Sequence, residues 1–240
     1  MNAKNVAYYV IIMGKYHNLK LPGESKAYRA TRDKLLAEEM KLRRNVESVA
    51  ALRRKLPFSG KLKEDYVFDE MKNNGKISKT KFSELFLSGK NTLIVYNFMY
   101  RPNAKKPCPM CTSLLDGLNG NAPYISDRVN FVVVAKAPIE KIQSWAAERG
   151  WNKLRLLSSF GNTYNADYLG ETPAGDQMPS LNVFQKTQKG MFHFYNTELL
   201  FAPAESGQGS RHVDMLWPLW NMFDLAPEGR GKNWDPNYQK

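Results

Sequence analysis

Two short stretches of the chain are built almost entirely from β-branched, aromatic and other apolar residues. Residues 92–100 and 130–135 both lack the polar alternation of a strand that has one face in water. This pattern predicts two strands that are buried on both faces, as in a sheet covered by helices on each side. Between them, residues 112–118 have helical spacing up to Gly120, and residues 122–128 are a candidate continuation of that helix.

The pattern downstream of the second strand alternates helices and strands in the same way. Pro138 opens a helix whose apolar positions lie on one stripe until Gly150. The polar residues 158–177 predict a long loop, and loops of this length are usually functional or mobile. Three further elements are predicted downstream: a short strand at residues 154–157, a β-hairpin at residues 181–195, and a final helix at residues 213–225 that is broken at Pro218.

The N-terminal quarter of the chain differs from the rest in both pattern and charge. Residues 25–56 avoid Gly and Pro and space apolar residues among charges, which predicts an amphipathic helix capped by Ser25 and stopped by Pro57. Residues 1–60 hold thirteen Lys or Arg and five Asp or Glu, so they carry +8 of the net charge of +12. We expect a solvated basic face, with an anionic partner as the alternative; nucleic acid is less favoured because the aromatic interleaving of its binders is missing.

Composition and length favour one main domain with two attached ends. We expect an N-terminal extension at residues 1–24, a basic amphipathic helix at 25–60, the main domain at 61–231 and a C-terminal tail at 232–240. The longest apolar run near the N-terminus, residues 6–13, is too short to cross a bilayer, and no small-residue cleavage pattern follows it. The sequence therefore predicts neither a membrane span nor a secretion signal.

The chain has only two cysteines, Cys108 and Cys111, which follow the first buried strand. Two cysteines placed at random in a chain of this length would be three residues apart in roughly one case in a hundred, so we expect this pair to act as a unit. A disulfide between them would close a ring too small to constrain the unfolded chain much. A cytoplasmic, reversible thiol pair is therefore favoured over a structural disulfide.

A thiol attacks only as the thiolate, so a redox-active cysteine needs surroundings that lower its pKa. If a helix begins at Pro109, Cys108 lies at the helix N-terminus, where free N–H groups and the helix dipole stabilise negative charge. Lys105 and Lys106 are expected to add positive charge nearby. These features predict that Cys108 is the nucleophile.

Cys111 lies one helical turn further along and is expected to be more shielded from solvent. It is the predicted resolving thiol, which attacks the mixed disulfide and releases the product. Pro109 can start the helix without a lost hydrogen bond and stiffens the ring, while Met110 covers it with apolar surface.

The predicted order is strand, cysteine pair, helix, strand, helix, strand, hairpin and helix, which is typical of a thioredoxin-like α/β sandwich with an insertion loop. Met178 and Pro179 immediately precede the hairpin. Proline is tolerated at the start of a strand, so Pro179 can simply open it. In thioredoxin-like folds, however, a cis-proline next to the cysteines holds this place, and the backbone of Met178 would then pair with an extended substrate.

Seven stretches resemble the bacterial thioredoxin-like family catalogued as domain of unknown function 899, whose members are regarded as dithiol-disulfide oxidoreductases. The resemblance covers residues 25–231, including the basic helix, and implies this fold and this chemistry. The matching stretches are residues 63–68, 93–99, 108–111, 131–138, 150–151, 158–167 and 225–230.

Better known proteins of this fold differ from the chain near the cysteines. In thioredoxin the strand before the active site holds a buried acid that helps to move the proton of the resolving thiol, and the aligned residue here is Asn97, which cannot act as a base. Peroxiredoxins place a proline and a Thr or Ser before their reactive cysteine, whereas Arg101 and Lys105 stand at those positions here. A peroxiredoxin-like thiol peroxidase is therefore an alternative rather than the first choice.

Metal, cofactor and ligand sites are weakly indicated or absent in the sequence. A structural zinc site needs four ligands, and the two cysteines supply only two. The three histidines of the chain, His17, His193 and His212, are scattered among other elements, so no metal is expected. No cofactor is expected either, because the chain lacks the dinucleotide-binding glycine pattern. Four polar residues of the long predicted loop are weaker candidates for substrate binding: Ser158, Tyr164, Asn165 and Asp167.

The sequence thus favours a cytoplasmic thiol-disulfide oxidoreductase that cycles Cys108 and Cys111 between dithiol and disulfide. The expected partner is a thiol or disulfide protein or a small thiol, which would also supply the electrons. The alternatives are a peroxiredoxin-like thiol peroxidase and a non-enzymatic protein that binds an anionic partner on a thioredoxin-like fold.

Overall fold

The computed structural model describes residues 16–87, 89–203, 205–206, 216–228 and 236–238, in two compact units that span residues 1–55 and 56–240. The first unit contains helix α1, Lys26–Arg54. Its N-terminus is capped as predicted, because Ser25 Oγ accepts a hydrogen bond of 3.0 Å from the backbone N–H of Tyr28. The helix ends before residue 60, since Pro57 disfavours helical backbone at the residue that precedes it.

The second unit is built on a seven-stranded sheet with the order β2-β1-β5-β4-β3-β6-β7. In the described residues its strands are β1 (Val67–Met71), β2 (Ile77–Lys81), β3 (Thr92–Phe98), β4 (Asn130–Ala135), β5 (Leu156–Ser158), β6 (Ser180–Thr187) and β7 (Gly190–Asn196). The helices are α2 (Pro109–Arg128), α3 (Ile139–Arg149), α4 (Tyr164–Asp167) and α5 (Pro218–Asp224), with short 3-10 turns at Phe82–Leu85 and Glu198–Leu200.

The centre of the sheet has the connectivity of a thioredoxin-like fold. Strands β3 and β4 are parallel and joined through α2, with Leu93 opposite Asn130 at the start of the register. β6 pairs antiparallel with the other side of β3, and β7 pairs antiparallel with β6. β5 continues the parallel part beyond β4, and the β1–β2 hairpin forms the antiparallel edge. The predicted thioredoxin-like α/β class, with a long N-terminal helix, is confirmed.

The two faces of the sheet bury two separate apolar cores. On one face, residues of α2 and α3 such as Leu115 pack with Tyr96 and Phe98 of β3. On the other face, Leu93 and Val95 of β3 lie in a core rich in aromatic rings. Successive residues of β3 therefore point to opposite faces, and this alternation decides which of them reach the cysteines.

The structure gives the bounds of two predicted helices. α2 does not end near Gly120 but includes the candidate continuation at residues 122–128, because Leu118 and Ala122 bury one face of the helix and this packing outweighs the cost of Gly120 and Pro123. The last helix begins at Pro218 instead of being broken there. Residues 213–215 of that prediction lie outside the described residues, as do residues 1–15 of the predicted extension.

Candidate active site

A hydrogen-bonded loop carries the chain from the end of β3 to the cysteines. The backbone N–H of Cys108 donates to the carbonyl oxygen of Met99 at 3.0 Å, which closes the loop at its base. From α3, Lys141 Nζ donates to the carbonyl oxygens of Pro102 at 2.7 Å and Ala104 at 2.6 Å. These bonds fix the position of Cys108 relative to the sheet.

Cys108 is the N-cap residue of α2, and Pro109 is the first residue of the helix. The fixed φ and the missing N–H of proline suit this position, so the helix begins where the sequence predicts. The backbone N–H groups of Cys111 and Met110, in the first turn of α2, help to lower the pKa of the Cys108 thiol. These groups are among the donors that the first turn of a helix leaves without an intrahelical partner.

The two thiols shift each other's pKa but lie in different environments. Both belong to free thiols; Cys108 is partly exposed, whereas Cys111 is only 3% exposed. The Cys111 thiol donates a hydrogen bond to Cys108 Sγ, and this bond, together with the two backbone N–H groups, lowers the pKa of Cys108 to about 6 although burial opposes the shift. The same bond and burial raise the pKa of Cys111 well above its ordinary value. At neutral pH the first thiol is therefore mostly ionised and the second is protonated.

Lys105 and Lys106 do not supply the positive charge that the sequence predicts for the thiolate. Both side chains are exposed, and neither is among the groups that shift the pKa of Cys108. Lys106 Nζ instead lies over the ring of Tyr238, 5.1 Å from its centroid. Hydrogen bonds from α2, rather than nearby ammonium groups, stabilise the thiolate.

A tyrosine that the sequence does not single out acts on the second thiol. The hydroxyl of Tyr96 and the backbone N–H of Met99 both lower the pKa of Cys111, although Cys108 and burial outweigh them. Tyr96 is 1% exposed and shares its apolar core with Cys111. The alternation of side chains along β3 is the sequence signal that could have identified Tyr96. Tyr96 lies two positions before Phe98, so both side chains lie on the face of the sheet that α2 covers.

Asn97, the residue aligned with the buried acid of thioredoxin, lies on the face of β3 opposite to Tyr96. Its Nδ2 donates to Ser180 Oγ at 2.9 Å. A side-chain carbon at Gly170 would lie 2.1 Å from this nitrogen, so the close approach requires glycine. Asn97 therefore points away from the core that contains Cys111, and the neighbouring residue Tyr96 belongs to that core.

The expectations for Met178 and Pro179 need correction in two respects. Within the described residues there is no cis peptide bond, so the bond before Pro179 is trans. The backbone N–H of Met178 donates to the carbonyl oxygen of Gly170 at 2.9 Å and is not free to pair with a substrate strand. The position along the sheet is as expected, because Ser180 pairs with Asn97 at the end of β3 from which the cysteine loop leaves.

Three of the four loop candidates for substrate binding are structural residues. Ser158, Tyr164 and Asn165 are each at most 1% exposed. Ser158 Oγ donates to the carbonyl oxygen of Ala137 at 2.6 Å, and Asn165 Oδ1 accepts from Ser159 Oγ at 2.6 Å. Because these side chains satisfy polar groups inside the fold or fill its core, they cannot contact a substrate that arrives from solvent.

The fourth candidate, Asp167, is partly exposed but lies away from the cysteines. Burial raises its pKa, yet bonds from Lys63, Thr163 and Tyr66 outweigh burial and lower it. Its carboxylate pairs with Lys63 Nζ at 2.5 Å. With His193 it lines a cavity of about 240 Å³ on the other face of the sheet, so Asp167 has no part in the thiol site.

Tyr238 lies against the cysteine helix, although the sequence sets residues 232–240 apart as a tail. Its hydroxyl donates to the carbonyl oxygen of Pro107, and its ring packs edge-on against Trp145 with 5.3 Å between the centroids. Tyr238 and Pro109 also line a cavity of about 200 Å³ beside the start of α2. Its lining includes Pro109, the residue that follows Cys108, but neither of the two cysteines.

No metal site or membrane span is found in the described part of the chain. No group of three or more His, Cys, Asp and Glu residues there could hold a metal ion. His193 Nε2 is 3.0 Å from Asn182 Oδ1, and its ring stacks on Tyr168, while His212 lies outside the described residues. No helix in these ranges combines the length and the apolar character needed to cross a membrane.

A family model described as "Bacterial protein of unknown function (DUF899)" matches residues 19–240. The chain belongs to this family. The match to the family extends beyond residues 25–231, where the sequence resemblance was found, and includes Tyr238. A search of curated proteins finds no match to the chain.

Several solved structures of peroxiredoxins are similar to the chain. The mitochondrial 2-Cys peroxiredoxin of Plasmodium falciparum is 12% identical, with a TM-score of 0.45 and coverage of 70% of this chain and 95% of that one. Peroxidoxin BcpB of Mycobacterium tuberculosis is 17% identical, with a TM-score of 0.44 and coverage of 68% and 94%. At these identities the similarity says nothing about activity.

Proposed function

We propose that the chain is a thiol-disulfide oxidoreductase that cycles Cys108 and Cys111 between a dithiol and a disulfide. The observation that carries the proposal is the sulfur pair at the start of α2. One thiol is partly exposed and has a pKa of about 6, and the second, one helical turn away, is buried and has a raised pKa. A reactive thiolate beside a shielded second thiol is what a two-step exchange requires.

The exchange begins when the Cys108 thiolate attacks a partner disulfide R–S–S–R′. A bond forms between Cys108 Sγ and the sulfur of R, and R′–S⁻ leaves. Cys111 then attacks Cys108 Sγ, and R–S⁻ leaves as the internal disulfide forms. The partner gains two electrons and the chain loses two. The same steps in reverse oxidise a partner dithiol, and the two reduction potentials decide the net direction.

The residues around Cys108 favour this exchange over a specialised peroxidase. Arg101 and Lys105, at the positions where peroxiredoxins carry a proline and a hydroxyl residue, have exposed side chains, and Arg101 pairs with Asp176. The hydroxyl of Thr112 donates to the carbonyl oxygen of Cys108 at 3.0 Å. It is therefore already committed to the backbone and not free to polarise a peroxide.

We propose a thiol or disulfide protein, or a small thiol, as the partner, in the cytoplasm, where thiols are kept reduced. The cavity beside Pro109, with Tyr238 and Phe223 in its wall, suits an apolar side chain next to the partner disulfide.

A contact between α1 and an anionic partner stays a prediction from charge. Reversal of charge at the exposed Arg43 and Arg44 tests it, because binding of an acidic partner should then weaken at low salt.

The proposed activity predicts turnover of disulfides in preference to peroxide. With glutathione and glutathione reductase as the electron source, reduction of hydroxyethyl disulfide should be at least about tenfold faster than consumption of hydrogen peroxide at equal concentration. NADPH oxidation measures both rates in the same assay. Faster turnover of peroxide would contradict the proposal and favour the peroxiredoxin-like alternative.

A further inference from the structure

The peptide unit that joins Pro107 to Cys108 is held at both of its polar ends. Its N–H donates to the carbonyl oxygen of Met99 at 3.0 Å, and its carbonyl oxygen accepts a hydrogen bond from the hydroxyl of Tyr238. The first bond closes the loop before the cysteines, and the second comes from the far end of the chain. Because both groups of one planar peptide are bonded, the plane cannot rotate without the loss of a hydrogen bond.

The local sequence does not fix the orientation of this peptide plane. The ring of Pro107 sets the φ of that residue, and Pro109 restricts Cys108 to extended backbone, in agreement with its ψ of 127°. The two torsions that remain, ψ of Pro107 and φ of Cys108, are the ones that rotate the plane between the two residues. The hydrogen bonds at its two ends therefore hold φ of Cys108 at −64°, the value at which this residue caps α2.

Packing holds the ring of Tyr238 in place independently of its hydroxyl. The ring lies edge-on against Trp145 of α3, with 5.3 Å between the centroids, and Trp145 is buried. Tyr238 also packs against the apolar core that contains Cys111, and Pro236, two residues earlier, is buried. The packed ring thus directs the hydroxyl to Pro107, and removal of the hydroxyl alone should leave this packing unchanged.

We infer that Tyr238 is a positioning residue for the first step of the exchange and holds Cys108 in the orientation that attacks the partner. The inference rests on the proposed function and assigns a distant residue to its site. In that step Cys108 Sγ forms a bond to one sulfur of the partner disulfide, and the other sulfur leaves as a thiolate with the electron pair of the broken bond. Tyr238 takes no part in the bonds that form and break, because it acts through the backbone of Pro107.

The test uses Ellman's reagent, an aromatic disulfide that releases one coloured thiolate in each step of the exchange. The first release in a stopped-flow trace reports attack by Cys108, and the second reports attack by Cys111 on the mixed disulfide. Tyr238→Phe keeps the ring and removes the hydrogen bond to Pro107. The first rate should then fall about fivefold, because one hydrogen bond no longer holds the attacking orientation.

The pH midpoint of Cys108 alkylation separates positioning from a structural role. Once the peptide can rotate, Cys108 Sγ spends part of its time away from the groups that stabilise its thiolate, so the midpoint should rise by about half a pH unit. A loss of stability alone would lower the unfolding temperature without moving this midpoint. The inference is wrong if Tyr238→Phe keeps the first rate and the midpoint of the unaltered chain.

Tyr168→Phe is the matched control for loss of a tyrosine hydroxyl that bonds to the backbone. The hydroxyl of Tyr168 accepts a hydrogen bond of 3.2 Å from the backbone N–H of Lys63, and its ring packs against the core on the other face of the sheet. This variant should leave the first rate and the alkylation midpoint unchanged. Equal effects of Tyr168→Phe and Tyr238→Phe would overturn the inference.

A second variant tests the hydrogen bond by restoring it. Incorporation of 4-aminophenylalanine in place of Tyr238 keeps a donor at the same end of the ring, so the first rate and the midpoint should return toward those of the unaltered chain. If both stay at the values of Tyr238→Phe, the bond to Pro107 is not the cause and the inference is wrong. If instead the unaltered chain releases only one thiolate, the proposed function fails and the inference fails with it, which distinguishes the two results.

Discussion

Replacing Cys108 by Ser will abolish disulfide turnover, whereas replacing Cys111 by Ser will leave the first chemical step intact and trap the partner. Without Cys108 the remaining thiol is buried and protonated, so the rate should fall about a thousandfold or more. Without Cys111 the thiolate still attacks, but no second sulfur can release the mixed disulfide. Steady-state turnover and mass spectrometry of the trapped adducts measure these outcomes.

Partners trapped by Cys111→Ser in cells identify the substrate class, with Cys108→Ser as the matched control. Adducts should appear with Cys111→Ser and be absent with Cys108→Ser, because the covalent bond forms at Cys108 Sγ. Equal adducts with both variants, or turnover by both at the rate of the unaltered chain, would show that the nucleophile has been assigned to the wrong sulfur.

Alkylation of Cys108 by iodoacetamide will rise with pH through a midpoint of about 6, far below the ordinary thiol value of about 8.5. The thiolate is the reactive form, so the rate is low below the midpoint and reaches its plateau above it. A thiolate of low pKa is also a weaker nucleophile, so the position of the midpoint is more informative than the plateau rate. Mass spectrometry of the modified peptide at a series of pH values measures the midpoint.

Variants of the neighbouring residues identify what lowers this pKa. Cys111→Ala removes the side-chain hydrogen bond that is its largest cause, so the midpoint should rise toward the ordinary value, while Cys111→Ser keeps a donor and should raise it less. Replacing both Lys105 and Lys106 by Gln should leave the midpoint unchanged. A midpoint near 8.5 in the unaltered chain, or one that moves with the lysines, would contradict the hydrogen-bonded description of the thiolate.

Local signals explain how much of the site the sequence could predict. The spacing of Cys108 and Cys111 and the proline between them locate the start of α2, because helix initiation depends on a few adjacent residues. The apolar run at residues 130–135 gives the bounds of β4 as the structure has them. The order of such elements is sufficient for the thioredoxin-like fold, since few topologies accommodate it.

Tertiary contacts explain what the sequence could not show. Tyr238 reaches the cysteine helix from the far end of the chain, and no local pattern distinguishes it from a residue of a detached tail. The alternation of β3 gives the face on which Tyr96 lies, but only the folded structure shows that it shares a core with Cys111. Lys105 and Lys106 are close in sequence to Cys108, but closeness along the chain does not determine where an exposed side chain points. Polar loop residues such as Asn165 look alike in sequence whether they face solvent or satisfy buried groups, and only the folded structure separates the two cases.

Equilibration of the full chain with glutathione buffers of stepped ratio, followed by thiol labelling and mass spectrometry, tests the central claim most directly. The account predicts one reversible two-electron transition in which Cys108 and Cys111 are lost together as an internal disulfide. Its midpoint should lie between about −270 and −120 mV, because a pKa of about 6 for Cys108 falls between the values of thioredoxin and DsbA. The central claim would be contradicted if both cysteines stay reduced at every ratio. It would also be contradicted if each cysteine forms a mixed disulfide with glutathione and no internal disulfide appears.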